Sequence, residues 1–129
     1  NGVKYYNDSK GTNPDAAIKA VYAMPSPTIL IGGGYDKKSS YDEWVATFEG
    51  RVKELLLIGK TKYDIAAACD KAGFKAYKFV DTLEEAVSIA AADAESGDCV
   101  LLSPACASWD MFKCYQQRGE IFKDCVRAL

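Results

Sequence analysis

The chain has 129 residues, 49% hydrophobic and 26% charged, which suits one compact domain and excludes a disordered segment. Sixteen basic against eighteen acidic residues leave a formal charge of −2, which excludes a broad electrostatic footprint for nucleic acid or an anionic membrane. No apolar run approaches the roughly 20 residues needed to cross a bilayer, and residues 1–10 lack the apolar centre of a signal peptide, so a cytoplasmic location is expected.

In chain order, residues 3–6 form a short β-prone run that stops in the polar octet Asn7 to Pro14. Pro14 suits a first helical position, and Ile18, Val21 and Tyr22 supply the apolar stripe of a helix closed by Pro25 and Pro27. Residues 28–31 (TILI) read as a strand running into Gly32-Gly33-Gly34. Tyr41, Trp44, Val45 and Phe48 then recur at helical spacing before Gly50. Residues 53–58 give a third strand, 61–72 a third helix and 75–80 a fourth strand. Leu83, Ala86, Val87, Ala90, Ala91 and Ala94 make the small-residue face of a fourth helix.

Residues 98–102 (DCVLL) are too short for a helix and fit a buried fifth strand, and residues 108–129 cover the final helical region. Its stripe is Phe112, Tyr115, Gly119, Phe122, Val126 and Leu129. Strands alternating with helices predict an α/β domain: a three-layer, Rossmann-like, mostly parallel sheet with helices on both faces.

The five cysteines are Cys69, Cys99, Cys106, Cys114 and Cys125; they form no CxxC pair, and the chain has no histidine. Reduced thiols are therefore expected, with no disulfide framework, no zinc site and no metal site of any kind. A Cys-His or Ser-His nucleophile cannot be assembled within this chain. Chemistry must run on Lys, Asp, Glu and backbone dipoles, or on groups supplied from elsewhere.

Three unusual loops follow strands, and in an open parallel sheet the carboxyl ends of strands are where ligands bind. They are residues 8–12, 32–38 and 103–108, and together they offer Lys10, Lys37 and Lys38 as cations, Asp8 and Asp36 as acids, and Ser9, Thr12 and Ser108 as hydroxyls. A small acidic ligand fits this set. Ser108, placed as the N-cap of the last helix, would put unpaired backbone N–H groups beside an anion; the ordinary alternative is a cap that binds only its own helix. Tyr115 is equally a core aromatic or a wall of the site. Cys106 reads as a small buried thiol.

Gly59-Lys60-Thr61 looks like the end of a phosphate loop, but the pattern needs a further glycine where this chain has Glu54. Gly32-Gly33-Gly34 resembles a dinucleotide fingerprint whose third glycine would fall at Lys37, so the spacing fails.

Three blocks carry a family resemblance: YNDSKGTNP at residues 6–14, the loop at 32–38, and SPACAS at 103–108 followed by Phe112, Gln117-Arg118-Gly119 and Phe122. On these blocks the sequence resembles the C-terminal domain of the Mur ligases, closest to the D-glutamate-adding branch. The resemblance implies a cytoplasmic enzyme of peptidoglycan synthesis. Such an enzyme uses ATP and Mg to activate the carboxylate of UDP-N-acetylmuramoyl-L-alanine as an acyl phosphate, which the amine of D-glutamate attacks. Residues 1–129 would be the last of three domains, without the N-terminal UDP-binding and central ATPase domains, and inert alone.

By motif position, the resemblance implies that Thr12, Lys38, Ser108, Trp109 and Tyr115 contact D-glutamate, and that Asp8 and Lys10 meet the nucleotide. Asp36 would hold Lys38 or receive the ammonium of the amino acid, and Lys37 competes with Lys38 for its role. The alternative reading of the residues is a free-standing α/β module that binds a small anion.

Overall fold

The computed structural model describes residues 2–35, 40–108 and 111–129. Its strands are β1 (Lys4–Asn7), β2 (Thr28–Gly32), β3 (Val52–Leu57), β4 (Tyr77–Phe79) and β5 (Cys99–Leu102). The helices are α1 (Pro14–Ala23), α2 (Asp42–Val45), α3 (Lys62–Ala72), α4 (Leu83–Asp93) and α5 (Tyr115–Arg127). The five strands form one sheet in the order β1-β5-β2-β3-β4, every pair parallel.

The central strands are apolar on both sides, as a sheet covered on both faces requires. Leu30, Leu55, Leu57 and Leu101 point into a core closed by Ala17 and Val21 of α1, Trp44 and Val45 of α2, and Ile65 and Cys69 of α3. Ile29, Ile31, Leu56, Val100 and Leu102 point the other way, against Leu83, Ala86, Val87 and Ala90 of α4 and Phe122 of α5. The three-layer arrangement read from the sequence is therefore the one observed.

Helix starts follow local chemistry. Asn13 accepts the Ala16 N–H at 3.0 Å with Pro14 at the first helical position, and Thr82 accepts the Glu85 N–H at 3.0 Å. Two expectations were too long. The second helix keeps only Asp42–Val45 before a turn, and the last one does not begin at Ser108. The Met111 and Phe112 N–H groups do bond the Ser108 carbonyl, at 3.2 and 2.9 Å, but this turn stops. Cys114 is extended (φ −163°, ψ 169°) and caps α5, while Gln117 Oε1 reaches back to the Lys113 N–H at 2.8 Å. The apolar stripe runs through this break, so spacing alone hides it.

The topology places the candidate functional edge. Helices α1, α2 and α3 follow β1, β2 and β3 onto one face, whereas α5 follows β5 onto the other. Since β5 lies between β1 and β2, the chain diverges to opposite faces on both sides of β5. Such divergence opens a crevice at the carboxyl ends of the strands.

Candidate functional site

Asn7, Leu102 and Ile31 are in register across the three adjacent strands, so the loops after β1, β5 and β2 emerge side by side. Backbone bonds then zip them together. Asp8 N–H donates to Leu102 O at 2.7 Å, and Ala105 N–H to Gly11 O at 3.0 Å, joining the β5 loop to the β1 loop. Gly33 N–H donates to Pro104 O at 2.9 Å, and Tyr35 and Ala107 exchange bonds of 2.8 and 2.9 Å as an antiparallel bridge, joining it to the β2 loop.

This weave needs unusual backbone. Ala105 sits at φ 62°, a left-handed conformation that a residue with a Cβ rarely adopts. Gly33 has φ 102°, and a Cβ there would collide with the Ile58 carbonyl oxygen. The second glycine of the triplet thus serves close backbone approach.

Arg118 ties the loops from below. It is fully buried, an unusual place for a guanidinium. Its Nε donates to Ser9 Oγ at 2.9 Å, Nη2 to the Ser9 carbonyl at 2.6 Å, and Nη1 to the Cys106 carbonyl at 3.0 Å. Ser9, also buried, donates its hydroxyl to the Tyr115 carbonyl at 2.6 Å, and Asn7 Nδ2 donates to the Gly119 carbonyl at 3.4 Å. The rigid fork of arginine matches this divergent set of acceptors, which a lysine could not satisfy. Sequence reasoning gave Arg118 and Ser9 no role of this kind. The signal was present: Arg118 lies one turn before Phe122 on the stripe that faces the sheet.

The candidate residues distribute around this frame. Asp8 is half-buried and accepts the Ser103 hydroxyl at 2.9 Å. Lys10 is exposed, and Thr12 is half-buried just ahead of α1. Tyr115, at the first turn of α5, is half-buried and packs in neither core cluster. Instead it lines a hollow of about 220 Å³ with Asn7, Ser9, Lys10, Gln116, Gly119, Glu120 and Lys123. Ser108 is buried in the β5 loop, upstream of α5, so it does not stand at that helix's N-terminus and cannot borrow its dipole. Asp36, Lys37, Lys38 and Trp109 lie outside the described residues.

Cys106 is buried, with Tyr41 Oη and Thr61 Oγ1 each 3.3 Å from its sulfur. Thr61 Oγ1 also accepts the Gly34 N–H at 3.1 Å, and its own N–H donates to Gly34 O at 3.0 Å. Thr61, the last residue of Gly59-Lys60-Thr61, thereby braces Gly34 of the glycine triplet. Among the described residues no cluster of His, Cys, Asp or Glu is arranged to hold a metal ion. Asp8 and Lys10 present one acceptor and one cation at the crevice. No helix among the described residues is long and apolar enough to cross a membrane.

The family model described as "Mur ligase, glutamate ligase domain" matches residues 1–106. The UDP-N-acetylmuramoylalanine--D-glutamate ligase of Lachnospira eligens is 60% identical over 129 residues, covering 100% of this chain and 29% of that protein. The enzyme of the same name from Lachnoclostridium phytofermentans is 56% identical over 128 residues, covering 99% and 28%. The chain thus spans less than a third of the length of these curated relatives. Among solved structures, UDP-N-acetylmuramate-alanine ligase from Thermotoga maritima matches with a TM-score of 0.55 at 10% identity, covering 90% of this chain and 25% of that one. Bifunctional folylpolyglutamate synthase/dihydrofolate synthase from Yersinia pestis matches at 0.59 and 16%, covering 88% and 26%. At these identities the two structures bear on the fold alone.

Proposed function

Since the chain belongs to the Mur ligase, glutamate ligase domain family, we propose that residues 1–129 are the C-terminal, amino-acid-binding domain of a three-domain ligase. In this reading the whole enzyme joins D-glutamate to UDP-N-acetylmuramoyl-L-alanine in cytoplasmic peptidoglycan synthesis. ATP with Mg, held mainly by a central domain, supplies the phosphoryl group that activates the acceptor carboxylate. The curated relatives carry this stretch within a much longer chain, which counts against a free-standing anion-binding module.

The observation that carries the reading is the zipping of three polar loops around the end of β5, at the crevice where the chain diverges to opposite faces. In it, Thr12 and Ser108 supply hydroxyls, Tyr115 and Trp109 walls, and Lys38 a cation for the carboxylates of D-glutamate. Asp36 steadies that cation, with Lys37 as its competitor. A pair of carboxylates held this way presents the free amine outward, toward an activated carboxylate brought by the other domains. Lys10 suits nucleotide phosphates, and Asp8 suits the donor groups of a nucleotide. No residue here breaks or forms a bond; the domain positions one reactant, so alone it is inactive.

Steady-state kinetics of the full-length ligase test the assignment. Thr12→Ala is expected to lower kcat/KM for D-glutamate about tenfold, the usual loss when one hydrogen bond to a charged ligand is removed, with KM for ATP nearly unchanged. Unchanged D-glutamate kinetics in both Thr12→Ala and Tyr115→Ala would remove the site from this edge.

A further inference from the structure

Ser103 is the first residue after β5, and its side chain is fully buried. Its hydroxyl donates to Asp8 Oδ2 at 2.9 Å, across the junction between β5 and β1. The rest of Asp8 is held as well: its N–H bonds Leu102 O at 2.7 Å, and its carbonyl accepts the Gly11 N–H at 2.8 Å. Space for this pair exists because residue 11 lacks a side chain. A Cβ there would lie 2.7 Å from Asp8 Oδ2 and 3.0 Å from Ser103 Oγ.

A half-buried carboxylate at the end of a strand has several staggered rotamers open to it. One buried donor aimed at one of its oxygens selects among them, and the selected rotamer leaves the second oxygen in a fixed direction. We propose that Ser103 is a positioning residue for the nucleotide contact of this domain: through the bond to Oδ2 it sets the Asp8 carboxylate in the geometry that meets the nucleotide. Ser103 touches no substrate itself. The inference rests on the reading of Asp8 as the nucleotide-side residue. Its physical basis is pre-organisation: a carboxylate already oriented loses no rotamer freedom when the domains close.

The test uses the full-length ligase and four variants: Ser103→Ala, Asp8→Asn, the double variant and Gly11→Ala. The expected results are a fall of about tenfold in kcat/KM for ATP with Ser103→Ala, and KM for D-glutamate within about twofold of the parent. The double variant should be no worse than Asp8→Asn alone, because the hydroxyl then has no carboxylate to orient. Gly11→Ala, at a backbone angle that admits a side chain, pushes the carboxylate aside and should reproduce the ATP-specific defect with Ser103 intact. It also decides the matter should Ser103→Ala fail to fold.

Equal losses for both substrates, or effects of Ser103→Ala and Asp8→Asn that simply multiply, would reduce Ser103 to a packing role and overturn the proposal. Normal ATP kinetics in Gly11→Ala would overturn it too. Asp8→Asn without any ATP defect would instead show that the reading of Asp8 has failed and that Ser103 has nothing to position.

Discussion

Two stretches of the same sheet edge behave differently. On the β3 side, Gly59-Lys60-Thr61 passes from strand to helix in a short connection, and β4 reaches α4 through Asp81 and Thr82. On the β1, β5 and β2 side the connections are longer, cross one another and are pinned by Arg118. Composition does not separate the two, since lysines, threonines and glycines occur on both. What separates them is the length of the connections and how often the chain diverges. β3 and β4 also send α3 and α4 to opposite faces, but through short connections at the sheet edge, whereas β5 sends its helix opposite to both neighbours and leaves a crevice that long loops line.

The largest expected effect comes from breaking the pin. Arg118→Met keeps much of the volume but leaves the Ser9 and Cys106 carbonyls without their charged donor in a buried place. A loss of about 3 kcal/mol or more is expected, roughly 10 °C in the melting temperature of the domain. Arg118→Lys should recover only part of it, because an ammonium cannot serve the three acceptors as a planar fork does. Thermal melts of the two variants check both statements.

A smaller effect is expected at the opposite end of the sheet, where the fold is stabilised without touching the crevice. Lys53 Nζ donates to Asp98 Oδ2 at 2.7 Å, and the Glu95 N–H donates to the same oxygen at 2.8 Å. The lysine hydrogen bond first, and the backbone N–H second, hold the Asp98 carboxyl below the usual carboxylate range. A carboxyl whose folded pKa is depressed stabilises the fold above its unfolded pKa and loses that contribution as pH falls through the folded value. Melting temperature should therefore drop on acidification below about pH 4, the unfolded range of a carboxyl. Asp98→Asn should cost about 1–2 kcal/mol at neutral pH, the partner lysine being partly solvated, and should flatten the acid limb. In the full-length enzyme the kinetics for D-glutamate should not change, which is the contrast with the crevice.

Much of this contrast was legible in the sequence. The five strands, the two-sided core and the three ligand-side loops follow from apolar periodicity and from the polar runs at 7–14 and 103–108. The order of the strands was not, because hydrophobic pattern specifies which residues are buried and not which strands are neighbours. It is the insertion of β5 between β1 and β2 that turns three separate loops into one candidate site. The break at Cys114 was hidden because Phe112 and Tyr115 keep helical spacing across an extended residue. Ser108 consequently moved from a helix N-terminus to a buried loop. Arg118 was readable as a cation on an apolar stripe, but its partners lie on loops far away in sequence, and only the fold brings them within reach.

The most direct test of the crevice as the amino-acid site is a map of proximity. With uniformly labelled D-glutamate bound to the full-length ligase and a non-hydrolysable nucleotide, isotope-filtered NMR should show contacts from the ligand methylenes to the Thr12 methyl and the Tyr115 ring. Contacts to residues around β3 and α3, with none to Thr12 or Tyr115, would contradict the account.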